Sequence, residues 1–122
     1  MAKAKLYNWD SIPAEVVRKG VSRKGFQGEN MLLVMNRLEP GFEPRPHSHP
    51  FEQVIYIVSG KMRLHVGDDV MECGPGSVVR IPPSIEHYGE AIGTEPCMNL
   101  DVFAPVRKDY EHLVEYQKPD FL

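Results

Sequence analysis

The sequence predicts an all-β fold, a sandwich or a closed barrel, on three observations. Eleven prolines and ten glycines cut the 122 residues into short pieces. Between these breaks lie brief β-branched and aliphatic runs. From Gly20 to Pro105 no run repeats apolar residues at i, i+3, i+4 and i+7 for long enough to make a helix. Many short strands separated by turn signals are the signature of stacked or closed sheets.

The elements follow in chain order. The early segment LYNWDSIPAEVV (6–17) offers an edge strand for a partner. MLLVMNRL (31–38), QVIYIVS (53–59), KMRLHV (61–66), SVVRI (77–81) and MNLDVFA (98–104) read as strands. In KMRLHV the alternation puts Met62, Leu64 and Val66 on one face and Lys61, Arg63 and His65 on the other. Ser59-Gly60 and Gly67-Asp68-Asp69 read as hairpin turns, and CGPGS (73–77) and IPPSIEH (81–87) as irregular connections. In RKDYEHLVEY (107–116), Tyr110, Leu113 and Val114 fall at helical spacing, which predicts a short C-terminal helix packed on the barrel.

The length fits one domain, expected over 1–122. A net charge of −3 gives no polycationic footprint for nucleic acid. No apolar run approaches the ~20 residues of a membrane span, and MAKAKLYNWD lacks the apolar core of a secretory signal, so the expected location is cytoplasmic. Cys73 and Cys97 match no CxxC pattern and read as two reduced, semi-buried thiols, with a redox pair as the alternative.

Chemistry concentrates in PRPHSHPFEQ (44–53). His47 and His49, two apart, project to one side of an extended chain with Cα atoms roughly 6.5 Å apart. They form either a polar stretch or part of a metal site. Gln53 has the same parity, but a straight strand would carry it about 13 Å past His49. Pro50 supplies the bend that would swing its amide back. Of the other histidines, His65 lies on the charged face of KMRLHV and His112 on the polar side of the tail, and both read as solvated. His87, after IPPSIE, can come from a neighbouring strand to complete the set.

Gly41-x5-His47-x-His49-x3-Gln53-x6-Gly60 resembles the first cupin motif at every spacing, and Gly76-x5-Pro82-x-Ser84-x2-His87 resembles the second. The resemblance implies a double-stranded β-helix jelly roll and one divalent metal ion per chain, with His47, His49, Gln53 and His87 as ligands. Zn, Ni, Fe and Mn are all compatible. The sequence departs from the family where Gln53 replaces the usual Glu, Ser84 the usual Gly, and Ala91 a frequent Asn. Three imidazoles and an amide leave the ion's charge uncompensated, which favours an anionic ligand. Glu52 is one residue off the ligand spacing and reads as outside the coordination set.

In LDVFAPVRKDY (100–110), Asp101 and Phe103 share one strand face and Leu100 and Val102 the other. Read alone, Asp101 and Arg107 fit a rim salt bridge as well as a site, and Phe103 fits the core. However, the HSHPxEQ and DVFxPxR runs look like the small cupins of pectin and alginate degradation, which convert 4,5-unsaturated uronates to linear 4-deoxy-5-keto-uronates. That resemblance implies catalytic roles for Asp101 and Arg107, substrate contact by Phe103 and Arg107, a small anionic sugar as partner, and a homodimer. Where this chain has Phe51 many relatives carry another His, a position that does not ligate. The rival readings are a metal-dependent dioxygenase and a non-catalytic sugar- or effector-binding cupin.

Overall fold

A computed structural model describes residues 3–121 of the chain; residues 1, 2 and 122 of the expected 1–122 domain lie outside the described residues. Among the described residues nine strands form two antiparallel sheets. In chain order they are β1 (Glu15–Arg18), β2 (Val21–Gln27), β3 (Leu32–Leu38), β4 (Gln53–Ser59), β5 (Lys61–Val66), β6 (Asp69–Cys73), β7 (Val78–Ile81), β8 (His87–Ile92) and β9 (Cys97–Phe103). The larger sheet runs β1-β2-β3-β9-β4-β7 and the smaller β6-β5-β8. This is the expected jelly roll. The end of the early segment forms β1, an edge of the larger sheet that pairs within the chain to β2 through Val16↔Ser22.

Alternation decides what lies between the sheets. Met62, Leu64 and Val66 of β5 are buried, whereas Lys61, Arg63 and His65 are not. They pack with Ile55, Ile57, Leu38, Val21, Ala91, Cys73 and Cys97 in the main apolar cluster. A second, smaller cluster joins Leu32, Val34 and Phe103 to Leu113 and Val114 of the tail. Gly25 of β2 makes room for that tail, since a Cβ there would come within 2.7 Å of the Leu113 Cβ.

The tail is helical but not one α-helix. Lys108–Phe121 is 3₁₀ in character, broken at Val114 (φ −121°, ψ 18°), with Pro119 inside it. Specific polar bonds tie it down in place of an unbroken apolar stripe. Gln117 exchanges two hydrogen bonds with the Gln27 backbone (2.8 and 3.0 Å), and the Tyr116 hydroxyl donates to the Gly25 carbonyl (2.5 Å).

Three strands were not evident in the sequence. β2 carries Arg23, Lys24 and Gly25 in succession, β6 is the short return arm of a hairpin, and β8 begins at His87 inside what reads as a connection. One histidine also differs from its solvated reading. His65 stacks on Tyr88, directly opposite it across β5 and β8 (centroids 4.2 Å, planes 9° apart), and its Nε2 lies 2.8 Å from Glu90. His112 is half exposed, as expected, and pairs with Glu15. Both cysteines are free and fully buried, not semi-buried. Burial, followed by the neighbouring Cys73, pushes the Cys97 thiol up to about 11.

Candidate metal centre

Two segments meet to build the centre. The chain through His47 forms a one-residue antiparallel bridge with the start of β8: His47 N–H donates to His87 C=O (3.1 Å) and His87 N–H to His47 C=O (2.9 Å). Next to it, the Ser84 N–H donates to the His49 carbonyl (2.7 Å), from a residue in left-handed backbone (φ 65°). This is the position where Ser84 replaces the family glycine.

The rings converge. Centroid separations are 4.4 Å for His47–His87, 5.0 Å for His49–His87 and 6.0 Å for His47–His49. One ligand atom from each lies within 4.8 Å of the others, so the three histidines can hold a metal ion.

Each Nδ1 faces a main-chain carbonyl: His47 to Arg45 (2.9 Å), His49 to Phe51 (2.7 Å) and His87 to Ile85 (3.0 Å). A carbonyl only accepts, so each Nδ1 carries the proton and each Nε2 keeps a lone pair. The arrangement can hold a cation. His87 Nε2 is buried with no hydrogen-bond partner. His49 Nε2 lies 3.0 Å from Gln53 Oε1, two acceptors facing each other, as a shared cation requires. Burial above all, with the Arg107 charge behind it, holds the His87 pKa below the usual histidine value, which favours the neutral ring that ligation needs. The predicted bend at Pro50 is present, because without it Gln53, first residue of β4, could not meet His49.

Asp101 stands on β9 opposite Ile55 of β4 and Val34 of β3. Its two carboxylate oxygens accept from Asn36 Nδ2 and Asn99 Nδ2, both at 2.8 Å. Burial pushes its pKa up to about 7, against the downward pull of bonds from Gln53, Asn36 and Asn99 and of the Arg107 charge. The isolated Asp101–Arg107 rim salt bridge is therefore not what forms.

The Arg107 guanidinium instead lies 4.0 Å from the Tyr110 ring centroid and 4.8 Å from those of Phe51 and Phe103. Its Nε and Nη2 donate to Asp109 (3.1 and 2.6 Å). Phe51 has more to do than its non-ligating position suggests, for it stacks on His49 (4.5 Å, 10°) and forms one wall around Arg107. Glu52 pairs with Arg80 (2.7 Å) on the exposed side of the sheet.

His47, Gln53, His87, Asp101, Phe103 and Arg107 all line one cavity of about 160 Å³. Sequence reasoning missed Asn36 and Asn99. Parity alone places Asn99 on the Asp101 face, but Asn36 reaches it only through the pairing Asn36↔Asn99 between β3 and β9.

A family model described as a cupin domain matches residues 34–103, more than half of the chain. An uncharacterised protein of Streptomyces coelicolor, SCO3923, is 28% identical over 102 residues, covering 83% of this chain and 96% of its own. Among solved structures, an RmlC-like cupin from Shewanella frigidimarina superimposes with a TM-score of 0.79 at 21% identity, over 88% of this chain and 96% of that one. KdgF from Halomonas superimposes with a TM-score of 0.78 at 24% identity, over 86% and 98%. With both motifs, the two-sheet barrel and the converging histidines in place, the chain belongs to the cupin family.

Proposed function

We propose that this cupin converts 4,5-unsaturated uronates into linear 4-deoxy-5-keto-uronates. The observation that carries the reading is the gathering of Asp101, Phe103 and Arg107 around a cavity that His47, His87 and Gln53 also line, with His49 converging on the same histidine cluster. The DVFAPVR run and the fold likeness to KdgF from Halomonas support it.

His47, His49, His87 and Gln53 would hold one divalent ion, and such an ion supplies Lewis-acid polarisation of a bound oxygen. The remaining work belongs to side chains. Opening the ring removes the proton of the C1 hydroxyl, breaks the C1–O bond to the ring and adds a proton at C4, so the reaction is an isomerisation with no net change of atoms. Asp101, held by Asn36 and Asn99, takes and delivers that proton. Arg107, fixed among three rings with Nη1 free of Asp109, receives the uronate carboxylate. Phe103 provides the apolar wall for the sugar.

We also infer a homodimer in the cytoplasm. The outer face of the larger sheet presents Tyr56 and Val78, paired across β4 and β7, at 40% and 64% exposure. A second copy covers them. Sedimentation across a concentration range tests this, and a monomer at every concentration defeats it.

The function is tested with metal-loaded protein and an unsaturated uronate, following loss of the conjugated double bond by absorbance. Asp101→Asn, still folded and metal-loaded, should be slower by about 10²–10⁴-fold. Parent-like turnover by that variant refutes the role of Asp101. Saturable binding without turnover in the parent points to a binding protein, and oxygen uptake points to a dioxygenase.

A further inference from the structure

The same cavity has a second cationic wall. Arg18, the last residue of β1, lines it together with Arg45 and Phe42. Arg18 is half-buried, yet among the described residues no carboxylate oxygen lies within 4.0 Å of its nitrogens.

Its neighbours fix this guanidinium without neutralising it. Nε donates to the Glu43 carbonyl (3.0 Å), and the guanidinium carbon lies 5.7 Å from the Phe42 ring centroid. With Nε held, the Nη1–Nη2 edge is left for a planar anion. The other arginines of the cavity differ. Arg107 is bonded to Asp109 through two nitrogens, and Arg23 to Glu15 through two (2.9 and 2.7 Å). Arg45 is exposed and only loosely paired with Glu43 (4.0 Å). Burial, then the charges of Arg45 and Arg23, outweighs the Glu43 charge and depresses the Arg18 pKa, which agrees with a cation lacking a close counter-charge.

The position matters as much as the charge. Arg107 follows β9 and Arg18 ends β1, with β2 and β3 between them in the sheet. Three strand spacings amount to about 14 Å along the sheet surface, shortened across the concave mouth. An acid group held at the Arg107 side therefore leaves Arg18 facing the opposite end of a small ligand.

We propose that Arg18 receives a second anionic group, so that sugar acids charged at both ends, which lack the C1 hemiacetal that ring opening needs, bind the cavity as ligands more tightly than those charged at one. This rests on reading the cavity as a sugar-acid site, but its test needs no turnover.

Calorimetric titration of the metal-containing protein with galactonate and galactarate compares six-carbon chains that differ in one terminal carboxylate. Galactarate should bind about tenfold more tightly, the range expected for one charge-assisted hydrogen-bonding group. Gluconate and 6-phosphogluconate form the phosphate arm; a preference there, with galactarate no better than galactonate, makes the second group a phosphate. In Arg18→Gln the preference should fall below twofold while the mono-acid binds as before. Arg18→Lys, which keeps the charge without the fork, should retain part of it, and Lys19→Gln, an exposed charge beside the site, should retain all of it. The proposal is overturned by a parent that prefers neither diacid or binds none of the four, by a preference that survives Arg18→Gln, or by equal weakening of mono- and diacids. Absent uronate turnover with the diacid preference intact would refute the proposed reaction and leave this assignment standing.

Discussion

Strand β9 runs through two kinds of interior. Cys97 at its start belongs to the main apolar cluster, and Phe103 at its end to the smaller one beneath the tail. Between them, on the same face, stand Asn99 and Asp101. β3 repeats the sequence of environments in reverse, with Val34 in the smaller cluster, Asn36 between and Leu38 in the main one. The site is thus a polar band laid across strands whose ends are ordinary core. The apolar ends fix the register, so a two-residue step along one strand changes the chemistry without changing the backbone.

The sharpest way to separate these regions is one truncation in each. His87→Ala removes a ring from the band and should weaken metal binding by more than ~100-fold, since loss of even a supporting residue costs 10–100-fold. The fold should survive, because the His47–His87 bridge uses main-chain atoms. Ile57→Ala removes a fully buried side chain from the main cluster and should cost about 2–5 kcal/mol of stability. Metal binding by its folded fraction should be unchanged. Metal titration beside thermal unfolding reads both, and the contrast collapses if the two variants lose metal and stability together.

At the apolar end the first motif closes on Gly60, which has φ 75° and would place a Cβ 2.3 Å from the Pro96 carbonyl oxygen. That contact is with backbone and cannot yield cheaply. Gly60→Ala should destabilise by at least about 2 kcal/mol through the left-handed conformation and the clash combined. Calorimetry that finds it neutral removes the reason for a glycine there.

Asp101→Asn sharpens the comparison in the opposite direction. A carboxyl whose folded pKa lies at about 7 is held neutral by burial, so ionisation works against folding. Below the unfolded value near 4 it carries no penalty; the penalty grows as pH rises through this window and is complete above 7. In metal-stripped protein the variant should therefore be more stable than the parent at pH 8, by at least about 1 kcal/mol, and no more stable at pH 4. Equal stability differences at the two pH values would show that burial is not what sets the Asp101 pKa. The same substitution that stabilises the fold should abolish most activity, which marks the band as retained for function.

The apolar ends were largely legible in the sequence, and the band only in part. Alternation in KMRLHV gave the inward residues of β5, and the motif spacings placed His47, His49, Gln53 and His87. β2 escaped because its Arg23 points inward to the cavity, so its pattern lacks apolar alternation. The partners of Asp101 depend on which strands lie side by side, and β3 and β9 meet across some sixty residues of chain, as in Asn36↔Asn99. Arg18 escaped for the same reason, lying outside both motifs and entering the cavity only because β1 is the edge of the sheet.

The smallest expected effect lies at the seam between the two motifs. Ser84 is the one residue other than glycine with positive φ among those described, and its N–H holds the His49 carbonyl at 2.7 Å. A left-handed residue with a side chain costs about 1–2 kcal/mol, while glycine gives back about 0.5–1 kcal/mol through its freer unfolded chain. Ser84→Gly should therefore stabilise the protein by about 0.5 kcal/mol and leave metal affinity unchanged, because the bond to His49 comes from the main chain. Denaturant unfolding and metal titration check the two halves separately. If the variant keeps its stability but binds metal more weakly, the Ser84 side chain contributes to holding His49, and the band extends one residue further than the hydrogen bonds now place it.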